Sequence, residues 1–301
     1  MTHVFGVDLG GTYVRAAAAD LDSSVVAERA ALVADLTPDG FCAQVQQLAA
    51  QLSPTDPVAV AVGLPGPVRR NGSVGPVVNA PGLNGAPIRA LLQDRLDTTV
   101  IVENDVNLAA LGEQRQGSAR GLADVAFIAV GTGVGMGIVV DGRVLRGADG
   151  GAGELGLLPL APDRVATDLS ELGPLEAVAG GAGMAARWRA HTGGPASARD
   201  VFAAAERSDP VAIALLDDQA AALAMGVRSV QALLDPELIV LGGGMGARHD
   251  VLARVQAALA QHGTPAPRLQ LSELGERAGL LGAVRAALDA ASDTRFAGAR
   301  D

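Results

Sequence analysis

Cysteine is almost missing: Cys42 is the only one among 301 residues. A single thiol excludes an intramolecular disulfide and any cysteine-rich zinc site. Aromatic residues make up only 2% of the chain, so its core must be built from alanine, valine and leucine, with close backbone approach at the many glycines. Long apolar runs are scarce too. The most apolar stretch, 125–140, is too short to cross a bilayer and is cut by Gly131, Gly133, Gly135 and Gly137. The start, "MTHVFGVDLGG", lacks the charged and apolar segments of a signal peptide. These absences point to a cytoplasmic protein with no membrane partner. Dense clusters of basic residues are missing from the sequence, and the net charge is −10. Nucleic acid is therefore excluded as the expected partner, because it calls for a basic surface that releases counterions.

What remains is a globular composition, 49% hydrophobic and 19% charged, sufficient for one large domain or two of ordinary size. The hydrophobic pattern predicts strands at 3–9, 13–20 and 25–33, a helix at 38–52 with Thr37 as N-cap and Pro38 at its first position, and a buried strand within 57–66. A helix near 87–96 and a strand at 98–103 follow. The pattern then restarts at 125 with strand, glycine turn, strand, Asp-Gly turn and strand. Helices near 174–191, 198–207 and 209–234, a strand running into "GGG", a helix at 248–262, a strand near 268–271 and a terminal helix at 277–291 complete the chain. The last ten residues read as frayed. The strand–turn–strand unit thus occurs twice, which suggests two similar halves with a ligand between them.

Three glycine turns stand at strand ends. In "VDLGGTYVR", Gly10 and Gly11 permit positive φ and expose N–H groups, Thr12 adds a hydroxyl, and Asp8 stands where it can orient a hydrated Mg²⁺. Gly131, Thr132 and Gly133 repeat the device. Gly242, Gly243 and Gly244 offer bare backbone to a purine or ribose. Each turn can equally be a plain tight turn, and none fits a Walker loop. In "VENDVN", Asn104 and Asp105 stand where a strand gives way to a helix. Asp105 is either an N-cap or a general base that accepts a hydroxyl proton during phosphoryl transfer. Glu154 is a lone acid in "GAGELGLLPL".

In order along the chain, "VDLGGTYVR", "VGLPGPV", "NAPGL", "ENDVNLAALGE", "GTGVGMGIVVDGRVLRG", "GAGELG", "LEAVAG", "IVLGGG" and "AGLLGAVRAAL" resemble the ROK family of sugar kinases and their repressor relatives. The resemblance implies an α/β fold of the actin-like, hexokinase type (ribonuclease H-like) with mixed central sheets, its two lobes closing over ATP and sugar. It implies a small lobe at 1–112, joined by the terminal helix 283–301, and a large lobe at 113–282. It makes Asp105 the catalytic base. Asn104, Glu154 and Glu176 become sugar ligands. Asp8 with Gly10, Gly11 and Thr12, then Gly131, Thr132 and Gly133, and then Gly242 to Gly244 become the ATP and Mg²⁺ contacts. The activity implied is phosphorylation of a hexose, glucose or a related sugar, at its 6-hydroxyl. A kinase for an N-acetylated amino sugar and a non-catalytic sugar sensor are the alternatives. The first phosphate motif begins within ten residues of Met1, which leaves no room ahead of it for the DNA-binding domain of the repressors. A homodimer is compatible with the family, although nothing in the sequence marks an interface.

Two departures stand out. Many family members carry a histidine three residues after the Glu154 position and a CxCGxxGCxE zinc segment behind it. Here the position is Leu157 and the segment has no cysteine, so no zinc site is expected. Leu157, Leu158 and Leu160 are expected to brace the loop by packing instead. The family's "PNL" is Pro81-Gly82-Leu83, with Asn79 and Asn84 as nearby substitutes for its amide.

Overall fold

The computed structural model describes residues 2–53, 55–77, 80–160, 173–261 and 265–297. In chain order its elements are β1 (His3–Leu9), β2 (Tyr13–Asp20), β3 (Val25–Leu32), α1 (Pro38–Leu52), β4 (Ala59–Leu64), α2 (Ile88–Leu96), β5 (Thr99–Asn104) and α3 (Asp105–Gln116). Next come β6 (Val125–Val130), β7 (Val134–Val140), β8 (Arg143–Val144), α4 (Pro174–Ala179), α5 (Gly181–Thr192), α6 (Ala198–Glu206) and α7 (Pro210–Leu234). The chain closes with β9 (Leu238–Gly242), α8 (Gly243–Gly246), α9 (His249–Ala260), β10 (Leu269–Leu271) and α10 (Ala278–Ala297). Thr37 caps α1 through its hydroxyl, and Asp209 caps α7 by accepting from Val211 and Ala212. The terminal segment that reads as frayed is helical through Ala297.

Two compact units emerge. The first comprises Met1–Gly121, Arg143–Ala152 and Arg277–Asp301, and the second Leu122–Gly142 and Gly153–Glu276. In the first, the strand order is β3-β2-β1-β4-β5, with β1 antiparallel to β2 and parallel to β4, and β4 parallel to β5. In the second, β10-β9-β6-β7 repeats the plan: β6 is antiparallel to β7 and parallel to β9, and β9 is parallel to β10. The same hairpin-plus-parallel arrangement therefore occurs twice, as the doubled strand–turn–strand pattern predicts.

Alternation along β1 sets the position of Asp8. Phe5, Val7 and Leu9 join the core shared with Phe41, Ile88 and Leu92, whereas Val4 joins Leu108, Leu280 and Val284 on the opposite face. Asp8 follows Val4 in register and so lies on the side of α10. Here α3 and α10 pack backbone to backbone: a Cβ on Gly282 would stand 1.8 Å from the Leu108 carbonyl oxygen. In the second unit, Ile128, Leu175, Met184, Leu223 and Leu241 form the centre of one core. Aliphatic side chains and alanines do most of the filling, as the shortage of aromatics requires.

Among the described residues one helix, α7, is long and apolar enough on composition to cross a membrane, a feature that the run at 125–140 overshadows in the sequence. Leu215, Leu216, Leu223 and Val227 of this helix are buried in the second unit's core, which accounts for its apolarity. The expected single helix over 174–191 is two helices broken at Gly180, whose φ of −78° and ψ of 153° are extended. The break lets the carbonyls of Gly131 and Thr132 receive the first N–H groups of α5, from Gly181 and Ala182, both at 2.9 Å.

Candidate functional site

In the first unit, several side-chain hydrogen bonds hold the β5-to-α3 junction. Asn104, not Asp105, is the N-cap of α3: its Oδ1 accepts the N–H groups of Val106 at 2.9 Å and Asn107 at 3.0 Å. The amide Nδ2 of Asn104 donates to the Gly66 carbonyl at 3.0 Å, tying this turn to the loop after β4. Asp105 is the first helical residue, half-buried, with Oδ1 accepting the Val106 N–H at 2.8 Å. The plain-cap reading of Asp105 therefore falls to its neighbour. Asp105 stands instead at the N-terminal end of α3 as its first residue.

Beneath this turn lies a residue that the sequence reading missed. Glu103 is 2% exposed, accepts the Asn104 N–H and the Asn107 Nδ2 donor, each at 2.9 Å, and forms an ion pair with Arg146. A charge so deeply placed needs such partners. The Glu103–Asn107 spacing of four along a helix start is the only hint that the sequence offers.

Asp8 is buried. Its carboxyl is raised to about 6 by burial, against the attraction of Arg15, which lowers it. Glycines wall it: a Cβ on Gly279 would come 3.0 Å from its Oδ1, and one on Gly63 3.4 Å. In the adjoining turn, the Gly10 N–H donates to the Tyr13 carbonyl at 2.9 Å, and the Thr12 carbonyl accepts the Val33 N–H at 3.0 Å. Neither Gly10 nor Gly11 uses positive φ, contrary to expectation. A Cβ on Gly11 would meet nothing within 4 Å. What this glycine contributes is an unshielded, open backbone rather than a left-handed turn.

The second unit carries the other turns and acids. Gly131 donates to the Gly133 carbonyl at 3.0 Å, closing a turn on which Thr132 is exposed. Glu176, on α4, reaches under this turn and accepts the Val134 N–H at 2.8 Å. Glu154 is placed by Gly153, whose φ is +96° and whose carbonyl accepts the Met136 N–H at 3.0 Å. A Cβ on Gly153 would stand 2.0 Å from the Met136 oxygen, so only glycine fits there. Crowding by surrounding protein and, secondly, the negative charge of Glu176 raise the Glu154 carboxyl above the ordinary carboxylate range. The structure thus brings Glu154 and Glu176 into electrostatic contact beside the Gly131–Gly133 turn.

Of the three glycines after β9, two answer to packing. A Cβ on Gly242 would sit 2.2 Å from the Phe127 ring, and Gly243, at φ +78°, would meet the Val130 carbonyl at 2.6 Å. Only Gly244 faces open space.

The loop bracing differs from expectation. Leu158 and Leu160 pack against the second unit's core, but Leu157 is 63% exposed and the buried residue is Leu155. The Leu155–Leu157 turn is 3₁₀, which points adjacent leucines in different directions. Asn79 and most of the segment that replaces the zinc motif, 161–172, lie outside the described residues. Asn84 is spent on structure, its Oδ1 accepting the Val77 N–H at 2.7 Å. Gly82 is demanded by its neighbour, since a Cβ would come 2.5 Å from the Leu36 oxygen.

The ROK family model matches residues 4–290. The chain is 34% identical to the N-acetylmannosamine kinase of Citrobacter koseri, over 92% of this chain and 96% of that protein. It is 29% identical to the glucokinase of Halalkalibacterium halodurans, over 92% of each. Among solved structures, the ROK hexokinase from Thermus thermophilus superposes with a TM-score of 0.86 at 32% identity, covering 97% of this chain and 100% of that one. A ROK glucokinase from Streptomyces griseus, in complex with glucose and AMPPNP, gives 0.77 at 27% identity over 95% and 99%.

Proposed function

The chain belongs to the ROK family and has its actin-like, hexokinase-type α/β fold, and from that premise we propose that it is an ATP-dependent sugar kinase acting on the 6-hydroxyl of glucose or a related hexose. The observation that carries this reading is Asp105 at the first position of α3, next to the N-cap Asn104, whose N–H Glu103 holds from below. Asp105 accepts the proton of the sugar hydroxyl. The hydroxyl oxygen bonds to the γ-phosphorus of ATP as the bond from that phosphorus to ADP breaks. Asn104, Glu154 and Glu176 hold sugar hydroxyls, a role that also falls to Asn79 in this reading. Gly10, Gly11 and Thr12, with Gly131, Thr132 and Gly133, hold phosphates. Gly244 lies against the nucleotide, while Gly242 and Gly243 shape the turn that presents it.

The residues fit Mg²⁺. Asp8 offers a hard, buried oxygen donor in a glycine-walled recess. Among the described residues no cluster of three His, Cys, Asp or Glu could ligate a metal alone, which suits an ion held chiefly by water and substrate phosphates. When bound, the ion neutralises phosphate charge, and Asp8 orients its water shell.

A second reading, phosphorylation of an N-acetylated amino sugar, is favoured by the identity to the Citrobacter koseri kinase and by Leu157, an apolar group beside the sugar-binding acid. The proposal includes a cytoplasmic location and a homodimer, the latter checked by sedimentation.

Coupled ADP release against hexoses and N-acetylhexosamines tests the reading, with Asp105→Asn as control. Turnover on at least one sugar is expected, falling by about 10²–10⁴ in the variant. Sugar binding without turnover would make the chain a sensor, and unchanged turnover in Asp105→Asn would remove the assigned base.

A further inference from the structure

Four arginines from three segments line one cavity of the first unit. Arg69 and Arg70 follow β4, Arg89 is on α2 and Arg146 follows β8. The edge strand β5 and the segment 144–147 contribute to the rest of the lining, and among the described residues no lining residue is acidic and every one belongs to the first unit. The sequence shows no dense basic cluster; the fold assembles one.

The cavity is built rather than incidental. Residues 68–74 form a tight hairpin, with a bridge between Val68 and Val74 and the Arg69 N–H donating to the Ser73 carbonyl at 3.0 Å. Arg69 Nη1 also donates to the Val74 carbonyl at 3.3 Å. Gly72, at φ +79°, lets the hairpin close over Arg89: a Cβ there would come 2.4 Å from the Arg89 Cβ. The volume is about 620 Å³, within the roughly 300–1,000 Å³ of small-molecule sites.

The charge balance singles this cavity out. The protein carries −10 overall, yet four arginines line this one cavity. The Arg146 charge is met by buried Glu103. Among the described residues, Arg69, Arg70 and Arg89 have no carboxylate partner. Cations lining one cavity repel one another, and an anion relieves that repulsion. The planar guanidinium fork suits phosphate, and the exposed Leu145 in the lining offers apolar surface to the body of an organic molecule.

We propose that this cavity binds a small phosphate-bearing metabolite, whose phosphate shares the Arg146 guanidinium with Glu103. The first clause is independent of the kinase reading. The second rests on it, because Glu103 holds the Asn104–Asp105 turn: an occupied cavity alters the charge beneath the proposed base.

Inorganic pyrophosphate, titrated calorimetrically into the full chain in metal-free buffer, tests the site. Binding is expected to weaken by about tenfold for each of Arg70→Gln and Arg89→Gln, and to be unchanged in the phosphate-turn variant Thr12→Ala/Thr132→Ala. Arg70 is exposed, so its variant is expected to fold and melt as the parent does. No binding at millimolar pyrophosphate overturns the site. So does binding that follows the threonine variant and ignores the arginines, because the anion then sits in the phosphate turns. If a sugar is turned over, pyrophosphate should change the rate in the parent and not in Arg70→Gln/Arg89→Gln. An effect equal in both sinks the coupling and leaves the binding result to stand on calorimetry.

Discussion

The Glu176 carboxylate occupies the space that a side chain at Gly133 would fill. A Cβ on Gly133 would come 2.4 Å from Oε2, the oxygen that accepts the Val134 N–H at 2.8 Å. One acid is thus locked to one phosphate-type turn by the absence of a single carbon. Gly133→Ala is expected to push the carboxylate off the Val134 N–H, cost about 1 kcal/mol of stability for the lost hydrogen bond and raise the KM for sugar. Gly131→Ala adds a Cβ that meets nothing within 4 Å, and its stability is expected within about 0.5 kcal/mol of the parent. Chemical unfolding and initial rates on the two variants provide the check. Equal losses in both would show that the contact between Gly133 and Glu176 does not matter.

Glu154 gives the second prediction. Crowding by protein raises its carboxyl first, and the charge of Glu176 raises it further. A raised acid stays protonated to higher pH than usual, and only the carboxylate accepts two sugar hydroxyls. Sugar affinity is therefore expected to improve as pH rises through the Glu154 titration. Glu176→Gln removes the repelling charge, so the titration moves to lower pH. The pH profile of sugar affinity in the parent and in Glu176→Gln reads this directly; a profile that moves to higher pH, or does not move, contradicts it.

Much of the fold is legible because its signals are local. Thr37 followed by Pro38, and Asp209 followed by Pro210, mark helix starts by chemistry contained within four residues. The alternation of β1 and the Asp141–Gly142 turn, where both residues take positive φ, are equally self-contained. What escaped depends on distant partners. The break at Gly180 exists for the carbonyls of Gly131 and Thr132, far back in the chain. Glu103 is a brace only because Arg146 returns to it. Asn104 takes the cap that Asp105 was equally fit to take by composition, and Gly242 and Gly243 answer to Phe127 and Val130 rather than to a ligand. Residue type alone says neither which of two neighbouring polar groups is spent on the backbone nor which glycine makes room for protein.

Cys42 gives the third prediction. It is fully buried, and burial pushes its thiol up to about 11. As the only cysteine it is a clean reporter of unfolding. Ellman's reagent at pH 8 is expected to leave the native protein unmodified and to titrate one thiol in denaturant. Rapid labelling of the native protein would show that α1 opens locally.

The fourth prediction separates function from stability at Asp8. The folded carboxyl is raised from 3.8 to about 6, so between those values the folded state binds more protons than the unfolded one. Stability from this group is therefore full below pH 4 and falls as pH rises to about 6, by on the order of 3 kcal/mol at 1.4 kcal/mol per unit. Asp8→Asn carries no such penalty. Without nucleotide and Mg²⁺ it is expected to match the parent at pH 4 and to exceed it at pH 8. With both ligands present the order should reverse, because the variant loses the carboxylate proposed to orient the ion's water shell. Urea unfolding at the two pH values, with and without Mg²⁺ and AMPPNP, checks both halves. A variant less stable than the parent at pH 8 without ligands would mean that the Asp8 carboxylate supports the fold rather than straining it.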